Sequence, residues 1–273
     1  MEKQRIKLTT SISLLIVFIG SLVLANVSSE NKSEFIDRKD DIKAKEIIEL
    51  SIEKHGGGLY KDSFFEFDFR GKHFTRDYKN GDFRYIKTFY DSSKATPRFV
   101  EDILTNEGFN RYINGKRIKL SIKYEDAFRQ SVNSVIYFTS LPFGLSDDAV
   151  NAEYIGEIMI KDNNYHKIKV TFNQEGGGDD FQDSFFYWIN SDNFMVDYVA
   201  YQYHVNGGGI RFREAINRQN IKGITFQDYV NYEVKQGRDA LLESDVAFEN
   251  GQLKELSRII NENIEVRFNQ VAN

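Results

Sequence analysis

The residues able to do chemistry are few, and most stand in patterns that do not complete a site. His55, His73, His166 and His204 are scattered, with no pair at i, i+4 and no His-Glu-x-x-His, so a helical zinc site is excluded. Cysteine is absent, which removes disulfides, thiolate metal centres, a cysteine nucleophile and lipid attachment through an N-terminal cysteine. Gly144-Leu145-Ser146-Asp147-Asp148 comes nearest to a nucleophile elbow and lacks its final glycine. His55, beside Gly56, could act with Glu175 or another carboxylate as the general base of a hydrolase. At the end of a helix it equally suits the negative pole of the helix dipole. Glu175, Asp179, Asp180 and Asp183 gather the hard oxygen ligands that calcium accepts, but their spacing matches no known loop and fits a solvated acidic turn, so no metal or cofactor is expected. Arg211 and Arg213 alternate with Ile210, Phe212 and Ala215, which puts both guanidinium groups on one face of a strand. On a concave face they would hold a lipid head group or carboxylate; on a convex one they solvate the sheet.

Three triple-glycine runs, Gly56–Gly58, Gly176–Gly178 and Gly207–Gly209, hold nine of the 19 glycines. Their successive N–H groups could cradle an anion, yet none leads into the Gly-Lys-Ser/Thr of a phosphate loop, and glycine also serves bulges, helix exits and close backbone approach.

The elements that must position these groups are mostly strands. In 273 residues there are 23 Phe, 15 Tyr and 1 Trp against 2 Pro, a balance that favours strands and turns. Lys3, Arg5 and Lys7 precede an uncharged run from Ile12 to Ala25, the form of a secretory signal peptide over residues 1–25, with an uncleaved anchor as the alternative reading. Without that segment 33 basic and 40 acidic residues remain, a formal charge of −7 that argues against nucleic acid as a partner. Residues 26–40 read as a flexible tether, and residues 41–273 as one domain.

That domain opens with an amphipathic helix carrying Ile42, Ala44, Ile47, Ile48 and Ile52. In Phe65-Glu66-Phe67-Asp68-Phe69-Arg70 three aromatics face one way and three charges the other, a half-buried strand. Asn80-Gly81 and Asn114-Gly115 punctuate hairpins. Helical spacing returns from Tyr124 to Leu141, and strands resume to Val234. Ala240 to Phe248 and Ile264 to Phe268 read as a final hairpin, with Leu253 to Ile260 as an alternative short helix. The pattern predicts a mainly β (α+β) fold, one curved antiparallel sheet of about 11–12 strands wrapped around two helices. In Phe185-Phe186-Tyr187-Trp188-Ile189 and Tyr198-Val199-Ala200-Tyr201 both alternate sets are apolar, so each face of the sheet needs a cover or a ligand.

This order of elements resembles the lipoprotein-carrier fold of LolA and LolB. The phrases His55-Gly56-Gly57-Gly58, Phe67-Asp68-Phe69-Arg70-Gly71, Leu141-Pro142-Phe143-Gly144-Leu145, Tyr187-Trp188-Ile189 and Gly208-Gly209-Ile210-Arg211-Phe212-Arg213-Glu214-Ala215 also resemble a family of uncharacterised exported bacterial proteins. The resemblance implies a half-barrel whose concave apolar surface accepts a hydrophobic small molecule, a lipid or an acylated protein, in the periplasm or cell envelope, with transient contact to a membrane or envelope protein. It carries over no binding residue. Phe65, Phe67, Phe69, Trp188 and Tyr201, with Arg211 and Arg213, are the candidate cavity residues. The expected role is a non-catalytic carrier or sensor; the alternatives are an envelope hydrolase using His55 and a module that recruits a protein through a sheet edge or aromatic surface.

Overall fold

The computed structural model describes residues 40–93, 95–173, 183–204 and 207–268. By its contacts the chain divides into two units, 1–43 and 44–273, and the second holds every described strand. Helix α1 spans 40–55, where Ala44, Ile47, Ile48 and Ser51 recur on one buried stripe. Six strands follow: β1 (Ser63–Phe69), β2 (Lys72–Lys79), β3 (Asp82–Asp91), β4 (Arg98–Thr105), β5 (Gly108–Ile113) and β6 (Lys116–Ile118). Helix α2 (Ile122–Thr139) then leads to β7 (Val150–Ile160), β8 (Asn163–Phe172), β9 (Ser184–Asn190), β10 (Val196–Tyr203), β11 (Gly209–Ile221) and β12 (Ile224–Val234). The last described elements are a short helix, α3 (Ser244–Glu249), and strands β13 (Lys254–Ile259) and β14 (Glu262–Phe268).

The fold is mainly β, but the described strands form two antiparallel sheets of seven rather than one of 11–12. The orders are β14-β1-β2-β3-β4-β5-β6 and β13-β12-β11-β10-β9-β8-β7. The ladder is broken where α2 separates β6 from β7, and again at residues 260–261, where the chain passes from β13 in the second sheet to β14 beside β1 in the first. Asn80 and Gly81 have φ of 51° and 95°, and Asn114 and Gly115 of 48° and 75°, the paired positive angles of a tight hairpin turn.

Two elements depart from the sequence reading. Strand β4 carries Asp102 between Val100 and Leu104 on its buried face. That carboxylate interrupts the apolar alternation, and tertiary pairing alone explains it: Asp102 accepts from Arg111 Nε (2.6 Å) and Nη2 (2.8 Å) and lies 2.9 Å from Lys87 Nζ. Lys87 also donates to Ser131 Oγ of α2 (2.6 Å), and the Arg111 guanidinium lies 3.3 Å from the centre of the Phe128 ring, so the ion cluster docks α2 on the first sheet.

The second is the segment read as a strand from Ala240 to Phe248, whose second half is helical as most of α3, while Leu253 to Ile260 is mostly strand β13. Its apolar residues answer the two-faced strands. Phe248, Leu241 and Leu253 pack with Tyr165, Phe186, Trp188, Tyr198 and Phe212 on one face of the second sheet. Asp245 pins the cover by accepting from Lys167 Nζ (3.0 Å) and Trp188 Nε1 (3.3 Å). The opposite face, with Ile168, Val170, Phe185, Tyr187, Ile189 and Val199, packs against Ala44, Ile47 and Ile48 of α1 and partly against Tyr137 and Phe138 of α2.

Candidate ligand cavity

Helix α2 presents two stripes. Val132 and Ile136 are buried, Val132 with Leu104 and Phe109 and Ile136 among Phe65, Phe67, Phe74, Phe226 and Val266. The neighbouring stripe, Ala127, Ser131, Ser134 and Phe138, repeats at i, i+4, i+7 and i+11, and its first three members are small. Small side chains cannot fill the space opposite the second sheet, and a cavity of about 450 Å³ lies there, within the range of small-molecule sites. Its far wall is Phe185, Tyr201, Tyr203, Arg211, Arg213 and Tyr229, with Phe69 and Asn261 at the side of the first sheet and the strand seam.

Strand pairing fixes the polar wall. Tyr201 faces Arg211 and Val199 faces Arg213 across the β10–β11 ladder, so each arginine reaches diagonally to a tyrosine on the same face. Arg213 Nη2 donates to Tyr201 Oη (2.8 Å) and Arg211 Nη2 to Tyr203 Oη (2.7 Å). Gly209 stands directly opposite Tyr203, and a Cβ there would lie 2.8 Å from the Tyr203 hydroxyl, so this last residue of the third glycine run makes room for the ring to fold over Arg211. The Arg213 guanidinium lies 3.6 Å from the centre of the Phe138 ring, and its Nε is buried with no acceptor. Neither arginine pairs with a carboxylate among the described residues, although Asp183 shares the cavity wall.

Of the seven residues expected to line a cavity, Phe69, Tyr201, Arg211 and Arg213 lie in this wall. Phe65 and Phe67 are fully buried beneath Ile136 of α2. Trp188 lies on the other face of the second sheet under α3, because its strand alternates and Phe185 and Tyr187 take the cavity side. The sequence reading missed Tyr203, Phe138 and the serines of α2. Their signals were the Tyr201/Tyr203 alternation and a stripe of small residues at helical spacing.

The family model that matches residues 16–261 is that of DUF6503, a family of unknown function. The chain belongs to this family. No curated protein matches it. Among solved structures it is similar to a LolA superfamily protein from Nitrosomonas europaea, with 11% identity, 84% of this chain and 94% of that chain covered, and a TM-score of 0.46. A DUF1329 family protein from Desulfovibrio piger gives 13% identity, 82% and 92% coverage and a TM-score of 0.39. A domain described as an outer membrane lipoprotein-sorting protein, from Vibrio parahaemolyticus, gives 10% identity, 84% and 93% coverage and 0.41. The functional reading of this DUF6503 protein therefore rests on its own residues.

His55 ends α1 fully buried, and its Nδ1–H donates to the Ser51 carbonyl oxygen (2.8 Å), which leaves Nε2 without a partner among the described residues. Burial foremost, with the positive charge of Arg218 adding to it, lowers its pKa to about 4, so the imidazole is neutral at pH 7. It does not line the cavity, and Glu175 and most of the acidic run around it lie outside the described residues. In this DUF6503 protein a second cavity of about 320 Å³ adjoins Tyr137 and Phe185, lined also by Tyr78, Tyr85 and Asp147 and by Arg76, a buried guanidinium that donates to Tyr60 O and Ser63 Oγ. Among the described residues no helix is long and apolar enough to cross a membrane.

Proposed function

We propose that this protein is an exported, non-catalytic carrier or sensor of a hydrophobic ligand, a lipid or an acylated protein, acting in the periplasm or cell envelope. In this reading residues 1–25 direct export, residues 26–40 are a tether, and the sheets of the domain from 41 to 273 form a half-barrel that closes on its ligand with α2. One observation supports it above the others: a cavity of about 450 Å³ between α2 and the second sheet, walled by Phe69, Val135, Phe138, Phe185 and Tyr201. In a close-packed interior, voids larger than a water molecule are few, and a large, mostly apolar one is the usual form of a ligand site. The hydrolase alternative is less well supported, since His55 is fully buried and does not line the cavity.

The test is native mass spectrometry of the protein purified from an exporting bacterial host, followed by organic extraction of whatever is carried over. Co-purifying lipid, or stoichiometric uptake of a fluorescent fatty acid, is the expected result. A clean apo mass together with no uptake of the fatty acid would refute the reading.

A further inference from the structure

Among the described residues, the buried and nearly buried cations divide into two groups. Lys87 and Arg111 share Asp102, and Lys167 meets Asp245, so each has a carboxylate within 3.0 Å. The buried guanidinium groups that have none among the described residues, Arg76 and Arg213, are ones that line cavities. Arg213 is only 8% exposed, and Arg211 stands two residues away on the same wall, about 7 Å along the strand. Their acceptors are neutral: the Tyr201 and Tyr203 hydroxyls and the Ile210 carbonyl. Phe138 covers a flat face of Arg213, which leaves the edge of the guanidinium, where its N–H groups point, for a further acceptor. A guanidinium taken out of water without an anion is costly, and Phe138 offsets only part of that cost. Among the described residues of the wall, two guanidinium groups stand against one carboxylate, Asp183.

We propose that the ligand of this cavity is an anionic amphiphile, whose oxyanion head group, a carboxylate or a phosphate monoester, sits between Arg211 and Arg213 while its alkyl chain runs along Phe69, Val135 and Phe185. The Tyr201 and Tyr203 hydroxyls, which accept from the two arginines, keep their own O–H free to donate to the same head group. Ser131 and Ser134 line the cavity from α2. This specifies the ligand class of the site proposed above and rests on that reading.

The test is displacement of a neutral fluorescent probe, N-phenyl-1-naphthylamine, by four twelve-carbon compounds at pH 7.5: dodecanoate, dodecyl phosphate, dodecanol and dodecylamine. At least one oxyanion is expected to bind about tenfold or more tighter than dodecanol, the size of one charge-assisted hydrogen bond, with dodecylamine weakest. The tighter of the two oxyanions tells a carboxylate head from a phosphate head. Arg211→Gln and Arg213→Gln are each expected to lower that affinity about tenfold and leave dodecanol unchanged. Arg211 is only half-buried, so its variant serves if Arg213→Gln does not fold. Equal binding of dodecanol and both oxyanions by the unaltered protein overturns the head-group inference and leaves the cavity reading standing. An oxyanion preference untouched by Arg211→Gln overturns the residue assignment. If neither the probe nor any of the four compounds binds, the carrier reading fails and the inference falls with it.

Discussion

Replacing Asp102 with asparagine removes one charge from the centre of the cluster that joins β3, β4 and β5 to α2. Asp102 is fully buried, and the Lys87 and Arg111 side chains are 5% and 11% exposed, so water cannot take over its role. Breaking a buried ion pair from one side costs about 3–5 kcal/mol, because the remaining charge stays desolvated and unpaired. Here two cations are stranded rather than one, which places the expected loss in the upper half of that range. For a domain of this size that is a fall in Tm on the order of 10 °C. Urea unfolding followed by far-UV circular dichroism gives the value directly. The variant also has a pH signature. Burial already lowers the Lys87 pKa, and Asp102 opposes that effect. Without Asp102 the folded pKa drops further below the unfolded value of about 10.4, and stability rises with pH between the two because the unfolded chain binds the extra proton. The deficit is therefore expected to narrow from pH 7 to pH 9.5. A matched apolar replacement, Asp102→Leu with Lys87→Met and Arg111→Met, is expected to recover most of the loss. A loss below about 1 kcal/mol for Asp102→Asn, or a deficit that does not depend on pH, would refute the reasoning.

Three further outcomes are expected. Because the folded His55 pKa of about 4 lies below the unfolded value, the stability it contributes above pH 6.5 is lost as pH falls toward 4. The change from pH 7 to pH 5 costs about 2 kcal/mol, and a His55→Gln variant should show a correspondingly flatter stability profile in chemical denaturation at the two pH values. Phe248→Ala empties the space between α3 and Trp188, Tyr198 and Phe212, and is expected to cost about 3–5 kcal/mol in urea unfolding while dodecanoate affinity stays within twofold, since that face is remote from the cavity. Gly209→Ala pushes a methyl group against the Tyr203 hydroxyl, the far end of a movable side chain, so stability should change by about 0.5 kcal/mol or less while dodecanoate binding weakens as Tyr203 leaves Arg211; calorimetry of both quantities checks it.

Much of the fold was legible because the signals were local. Phe65-Glu66-Phe67 reads as a half-buried strand whatever lies across from it, Asn80-Gly81 as a tight turn because few residue pairs take two positive φ angles, and Tyr124 to Leu141 as a helix from its apolar spacing, two residues displaced from the observed Ile122–Thr139. Strand β4 was not legible, because Asp102 on its inward face breaks the alternation and only Lys87 and Arg111, from neighbouring strands, make that position tolerable. The tail was misread for a related reason: the segment before Phe248 has apolar content without a clear period, and docking on Trp188 and Phe212 decides that part of it is helix. The site was half legible. Alternation put Arg211 and Arg213 on one face, but whether that face lined a cavity depended on what packed opposite it.

The sequence by itself determined which side chains share a face, because the periods of strand and helix are properties of the backbone and need no partner. It set the two-faced aromatics of β9 and β10, the paired arginines of β11 and the small-residue stripe of α2. Only the tertiary structure decided that α3 covers the Trp188 face, that α1 and in part α2 cover the other, and that the serine stripe leaves a cavity beside two guanidinium groups with no described carboxylate paired to them. Those outcomes depend on volumes and charges brought together from residues far apart in the chain, and no local period encodes them.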